Sequence, residues 1–101
     1  MSSLTKRDLF NARNAGNKLE SGLTLTVVAV GQFDDTDRDG KPVKVSVLKD
    51  DDGTVYTTIS GTIADSLSDL GDIIDDEGKV EVTVVTKKSQ SGREFFQLQI
   101  I

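Results

Sequence analysis

Apolar residues in this chain recur mostly at every second position, and that period limits what it can fold into. From Leu23, the run LTLTVVAVGQF places Leu23, Leu25, Val27 and Ala29 on one face, the pattern of a half-buried strand. VKVSV sets Val43, Val45 and Val47 against Lys44 and Ser46. TVYTTIS sets Val55, Thr57 and Ile59 against Tyr56 and Thr58. VEVTVVTKK turns Val80, Val82 and Val84 inward, and REFFQLQII sets Phe96, Leu98 and Ile100 against Phe95, Gln97 and Gln99. DRDGK, DDDG and SQSG separate these runs as glycine-containing turns. The period changes only once, where Ile63, Leu67, Leu70 and Ile74 recur at helical spacing. Thr62 is the expected N-cap of that helix, with Asp65 three residues on, and Gly78 its stop. Its outer face carries Asp65, Asp69, Asp72, Asp75 and Asp76, and the C-terminal acids oppose the helix dipole.

The expected order is β-β-β-α-β-β, an all-β chain with one helix. Five short strands with a helix between the third and fourth is the order of the five-stranded OB-fold barrel; an α+β sandwich is the alternative. Gly31 inside the first strand predicts a bulge there, which would reverse the alternation and turn Phe33 outward. Residues 1–20 form a polar, basic segment with Lys6, Arg7, Arg13 and Lys18, expected to be a loop or short helix packing through Leu4, Leu9 or Phe10. The 101 residues make one domain spanning 1–101.

Composition excludes several chemistries. There is no cysteine and no histidine, so disulfides, thiolate metal sites and histidine-based catalysis are out. The first of these fits a reducing cytoplasm. No apolar run approaches the ~20 residues of a membrane span, and MSSLTKRDLF lacks the apolar stretch of a signal peptide. No cofactor is expected. The net charge of −5 is unevenly spread. Residues 50–78 hold nine Asp/Glu and no Lys/Arg, whereas the segments on either side carry +2 each. A folded surface can keep such regions apart.

With Val55 and Ile59 inward, Tyr56 points out, beside Lys44 and Ser46 of the neighbouring strand. Phe95 lies opposite Phe96 and Leu98, and Phe33 turns outward past the bulge. Tyr56, Phe33 and Phe95 are therefore the candidate stacking rings, with Lys44, Arg38, Lys41, Lys87 and Arg93 as candidate phosphate contacts. Rings among cations on a sheet are how OB-folds hold single strands. The competing account is that each ring packs under the N-terminal segment or against a subunit; Phe10 and Phe96 are assigned to packing. DDTDRDGK begins like an EF-hand loop, but Ser46 stands where the bidentate Glu belongs and strands flank it, which favours a polar hairpin tip. The paired aspartates have no second chemical partner, and no phosphate-cradling or nucleophile motif is present, so no enzyme activity is expected.

DGTVYTTISGTIADSLSDL, followed after one strand by KKSQSGREFFQLQII, closely resembles the C-terminal half of the single-stranded DNA-binding proteins of small protein-primed Bacillus phages. FNARNAG resembles a short N-terminal motif of that family, and GQF stands where the family has a strand-end aromatic. The resemblance implies an OB-fold protein in the host bacterium's cytoplasm that coats displaced single strands during replication, stacking bases on sheet aromatics. The implied partner is single-stranded DNA with little sequence preference, with phage replication proteins as a further partner class and no membrane. Tyr56 matches a family tyrosine, Phe33 a position where the family has tyrosine, and Arg38 or its neighbour a family aromatic. The chain lacks the acidic tail of bacterial single-strand binders, so recruitment through such a tail is not expected. The alternative is an OB-like protein-interaction module whose outward rings form a protein interface.

Overall fold

The computed structural model describes residues 4–101. Its elements are α1 (Lys6–Ala15), β1 (Asn17–Lys18), β2 (Thr24–Thr36), β3 (Pro42–Asp50), β4 (Val55–Thr58), α2 (Gly61–Glu77), β5 (Val80–Lys88) and β6 (Glu94–Ile100). From β2 onward the order is the expected one, but the chain is mixed α/β with two helices, and its sheet has six strands in the order β1-β4-β3-β2-β5-β6. The expected five-stranded closed barrel is corrected to an open, curled half-barrel. The reason is local. The free edge of β4, which a returning last strand would need for closure, is taken by β1, which pairs with it in parallel through Asn17–Tyr56 and Lys18–Thr57.

The sheet has a core on each face. α2 lies against β2, β3, β5 and β6 and buries Ile63, Leu67, Leu70 and Ile74 on Leu25, Val27, Leu48, Val80, Val82 and Val84. On the other face α1 contributes Leu9 and Ala12, with Leu4 just before it, over Phe33, Val43, Val45, Val47 and Val55. Strand β2 serves both faces because its register with β3 shifts between Val27 and Ala29. The extra residue, Val28, reverses the alternation, so Val27 packs on the α2 side and Phe33 on the α1 side. The bulge is therefore at Val28, not at Gly31, which pairs regularly with Val47. Gly31 has a different use: a Cβ there would lie 2.5 Å from Leu4 Cδ1.

Covering both faces overturns further expectations. Ser46, expected outward, is fully buried. Among the described residues its Oγ has no hydrogen-bond partner, a cost of about 1–3 kcal/mol. Ile59, expected inward, lies beyond the end of β4 and is 67% exposed, as is Phe10, expected to pack. The cap of α2 is Ser60 rather than Thr62, accepting from the Ile63 N–H at 3.5 Å. Gly78 ends the helix as expected, in the left-handed region with φ 82°. The three hairpins share one turn: in each, the residue before the tip donates to a carbonyl four residues on and accepts from the glycine N–H three residues on. Gly40, Gly53 and Gly92 all take the positive φ that this turn requires. No helix of the described residues is long and apolar enough to cross a membrane.

A reciprocal capping box fastens α1. The Asp8 N–H donates to Thr5 Oγ1 at 3.1 Å and the Thr5 N–H to Asp8 Oδ2 at 3.0 Å. Asp8 also takes a hydrogen bond and ion pair from Lys49 Nζ on β3 at 3.2 Å. The Thr5 backbone N–H, with Lys49 behind it, holds the Asp8 carboxyl below its ordinary value against the opposing effect of burial. A carboxylate depressed in this way stabilises fully above its unfolded pKa of about 3.9 and loses that contribution as pH falls through the lower folded value. Asp8→Ala should cost about 1 kcal/mol in urea unfolding at neutral pH. The gap to the parent protein should narrow below about pH 4. A gap independent of pH would show that the charge on Asp8 plays no part.

Candidate nucleic-acid interface

The strands place the three expected rings in different settings. Tyr56 lies opposite Leu48 across β3–β4 and opposite Val55 in facing, as its strand's alternation requires. That face, however, is the α2 side. Tyr56 packs at the margin of the main core, half-buried, with its other side on a recess bordered by Asn17, Lys18 and Thr54. Burial, then the nearby Asp50 and Asp52, push its phenol above the ordinary value. Phe33 is on the α1 side and only 9% exposed, with the Arg13 guanidinium 5.0 Å from the ring centroid. Phe95 is half-buried on the outer side of β6, directly across from Lys87 on β5. Tyr56 and Phe33 thus face opposite sides of the sheet.

The five expected phosphate contacts are all exposed. Arg38 and Lys41 sit on the β2–β3 hairpin tip, Lys44 opposite Asp34, and Lys87 and Arg93 at the β5–β6 end. Among the described residues, none of the five is in an ion pair. At the β2–β3 tip the Asp37 carboxylate accepts from the N–H groups of Asp39 and Lys41, both at 2.9 Å, so it is committed to shaping the turn. The acids of α2 project into solvent.

Sequence reasoning missed a cleft of about 490 Å³ where the last turn of α1 meets the sheet. Phe33 and Phe96 line it, together with Arg13, Lys18, Asp35, Thr58 at the end of β4 and Ile59 just past it. The signal was present in the Thr5–Asp8 capping box, which predicts a helix bringing Leu9 and Arg13 onto one face.

Rings beside unpaired cations, on a scaffold whose buried or hydrogen-bonded carboxylates serve caps and turns, are the equipment of a binding protein. The chain matches the family model described as phage single-stranded DNA-binding protein over residues 4–101 and belongs to that family. It is 34% identical to the single-stranded DNA-binding protein of Bacillus phage PZA over 102 aligned residues, covering 91% of this chain and 82% of that one. The same figures hold for the Bacillus phage phi29 protein. The Bacillus phage B103 protein is 29% identical over 92% of this chain and 84% of its own. The family is non-enzymatic. No solved structure matched.

The Tyr56 environment has a direct readout, because it is the only tyrosine and tryptophan is absent. The phenolate absorbance of the folded protein should have its midpoint above the ordinary value of about 10. Asp50→Asn should bring it down only in part, since burial is the larger cause. A midpoint at the free-tyrosine value would mean that the ring is not packed against Leu48.

Proposed function

We propose that the protein binds single-stranded DNA with little sequence preference, and coats and protects strands displaced during phage DNA replication. The observation that carries this reading is the Phe95–Lys87 pair, a partly open ring directly across from an unpaired cation on the outer side of the β5–β6 hairpin. Bases stacked on Phe95, Tyr56 and Phe33 would supply the sequence-tolerant term, at ~1–3 kcal/mol each. Lys44, Arg38, Lys41, Lys87 and Arg93 would meet phosphates. Tyr56 offers the side of its ring that faces the Asn17–Lys18 recess, and Phe33 offers its ring once Arg13 leaves it. Family membership supports the ligand, and the strand order of β2–β6 supports reading the half-barrel as an opened relative of the OB-fold. The work would be done in the cytoplasm of the host bacterium, with phage replication proteins as further partners.

Five cations against a net charge of −5 give a shallow salt dependence and modest affinity per monomer. The acidic face of α2 would repel duplex DNA held by charge alone. Reversing Asp69 and Asp72 to lysine should therefore strengthen duplex binding at low salt, as read by mobility shift, and unchanged binding would remove that role.

Oligo-dT should quench Tyr56 emission. Phe95→Ala should weaken binding by ~1–3 kcal/mol at all salt concentrations. Lys87→Ala should weaken it most at low salt. If low-salt titration gives neither quenching nor a mobility shift, the protein-interaction reading takes over, with the exposed Ile100 and Ile101 as its first candidate surface.

A further inference from the structure

The contacts proposed above use one wall of the cleft at the end of α1, the Phe33 ring, and leave the rest of it without a role. Its volume of about 490 Å³ falls within the roughly 300–1,000 Å³ of small-ligand sites. Two rings, Phe33 and Phe96, contribute to its walls, and its charges are Arg13, Lys18 and Asp35. Lys18 is exposed on β1, opposite Thr57. Arg13 is exposed on the last turn of α1 and lays its guanidinium over the Phe33 ring. A flat, delocalised cation over an aromatic face occupies the position that a stacked nucleobase would take.

We propose that this cleft is a one-nucleotide subsite, an inference that rests on single-stranded DNA being the ligand. In the free protein Arg13 holds the place of a base on Phe33. On binding, the base enters against Phe33 with Phe96 across the cleft, and Arg13 swings to the phosphate of that nucleotide. Lys18 meets the neighbouring phosphate. The exchange needs no movement of α1, because Arg13 has a long, exposed side chain at the end of a helix fastened at its other end by the Thr5–Asp8 box and Lys49. It also makes use of the cation, which gives up a ring contact and gains a charge-assisted hydrogen bond. Asp35 at the cleft is the opposing charge, and it limits how tightly the phosphate is held. Two cations against one carboxylate, between two rings, match an anionic aromatic unit better than an apolar or a cationic ligand.

The test is oligo-dT affinity across a salt series for Arg13→Ala, Arg13→Lys, Lys18→Ala and Asp35→Asn. Each phosphate contact contributes about 0.7 to the slope of log affinity against log salt on a single strand. Arg13→Ala and Lys18→Ala should each lower the slope by about that amount, whereas Arg13→Lys, which keeps the charge and most of the packing, should preserve it. Asp35→Asn should tighten binding at low salt. If Arg13→Ala weakens binding by the same factor at every salt concentration, Arg13 only supports the fold and the inference fails. If the parent protein binds and both alanine variants keep its full slope, the subsite alone is overturned. If the parent protein does not bind oligo-dT at all, the functional reading falls with it.

Discussion

The fold depends on one inserted residue. With Val28 added to the β2–β3 register, a single strand can present apolar side chains to α2 in its first half and to α1 in its second. Without that reversal Phe33 would face the α2 side, and α1 would have only β3 and β4 to pack on. The shift leaves backbone groups to satisfy, and the structure meets this nearby: the Asp50 carboxylate accepts from the Thr26 N–H at 3.1 Å and from the Asp51 N–H at 2.8 Å. The same carboxylate helps to raise the Tyr56 phenol. The acid beside the tyrosine is thus part of how the sheet bends as well as part of a turn.

The second core follows from the bulge and shapes the interface. Because α1 covers Phe33, Val45 and Val47, the α1 side of the sheet offers a cleft at the helix end rather than a bare platform. Because α2 fills the other face, Tyr56 is available only at its margin. Gly16 lets the chain leave α1 tightly against β4; a Cβ there would lie 2.6 Å from the Ala12 carbonyl and 2.7 Å from Thr57 Cγ2. That close exit is what delivers β1 to the edge of β4 and keeps the sheet from closing on itself.

Much of this was legible in the sequence. The inward valines of β5, the buried stripe of α2, the Gly78 stop and all three hairpins follow from period and turn chemistry alone. The same alternation separates Tyr56 from Val55. What could not be read has physical causes. VVAV is apolar at four successive positions, so its pattern shows that both faces are buried without showing where the register slips. β1 is two residues long and has no period. The burial of Ser46 and the exposure of Phe10 and Ile59 depend on how the two helices lie on the sheet and on where β4 ends, which no local pattern in those segments encodes. For the rings, sequence gave each side chain's facing within its strand, but not which face of the sheet would already be occupied.

The shared hairpin turn has one more consequence. Its hydrogen bonds use backbone groups and a glycine, and they make no demand on the residue just after the turn begins. That position is Arg38 in the first hairpin, Asp51 in the second and Gln90 in the third, all exposed. One piece of backbone carries a cation, an anion and a neutral amide with equal ease. The scaffold therefore separates the residues that spell the fold from those that set its outward character, and related phages could rewrite the latter, tip by tip, without touching the core.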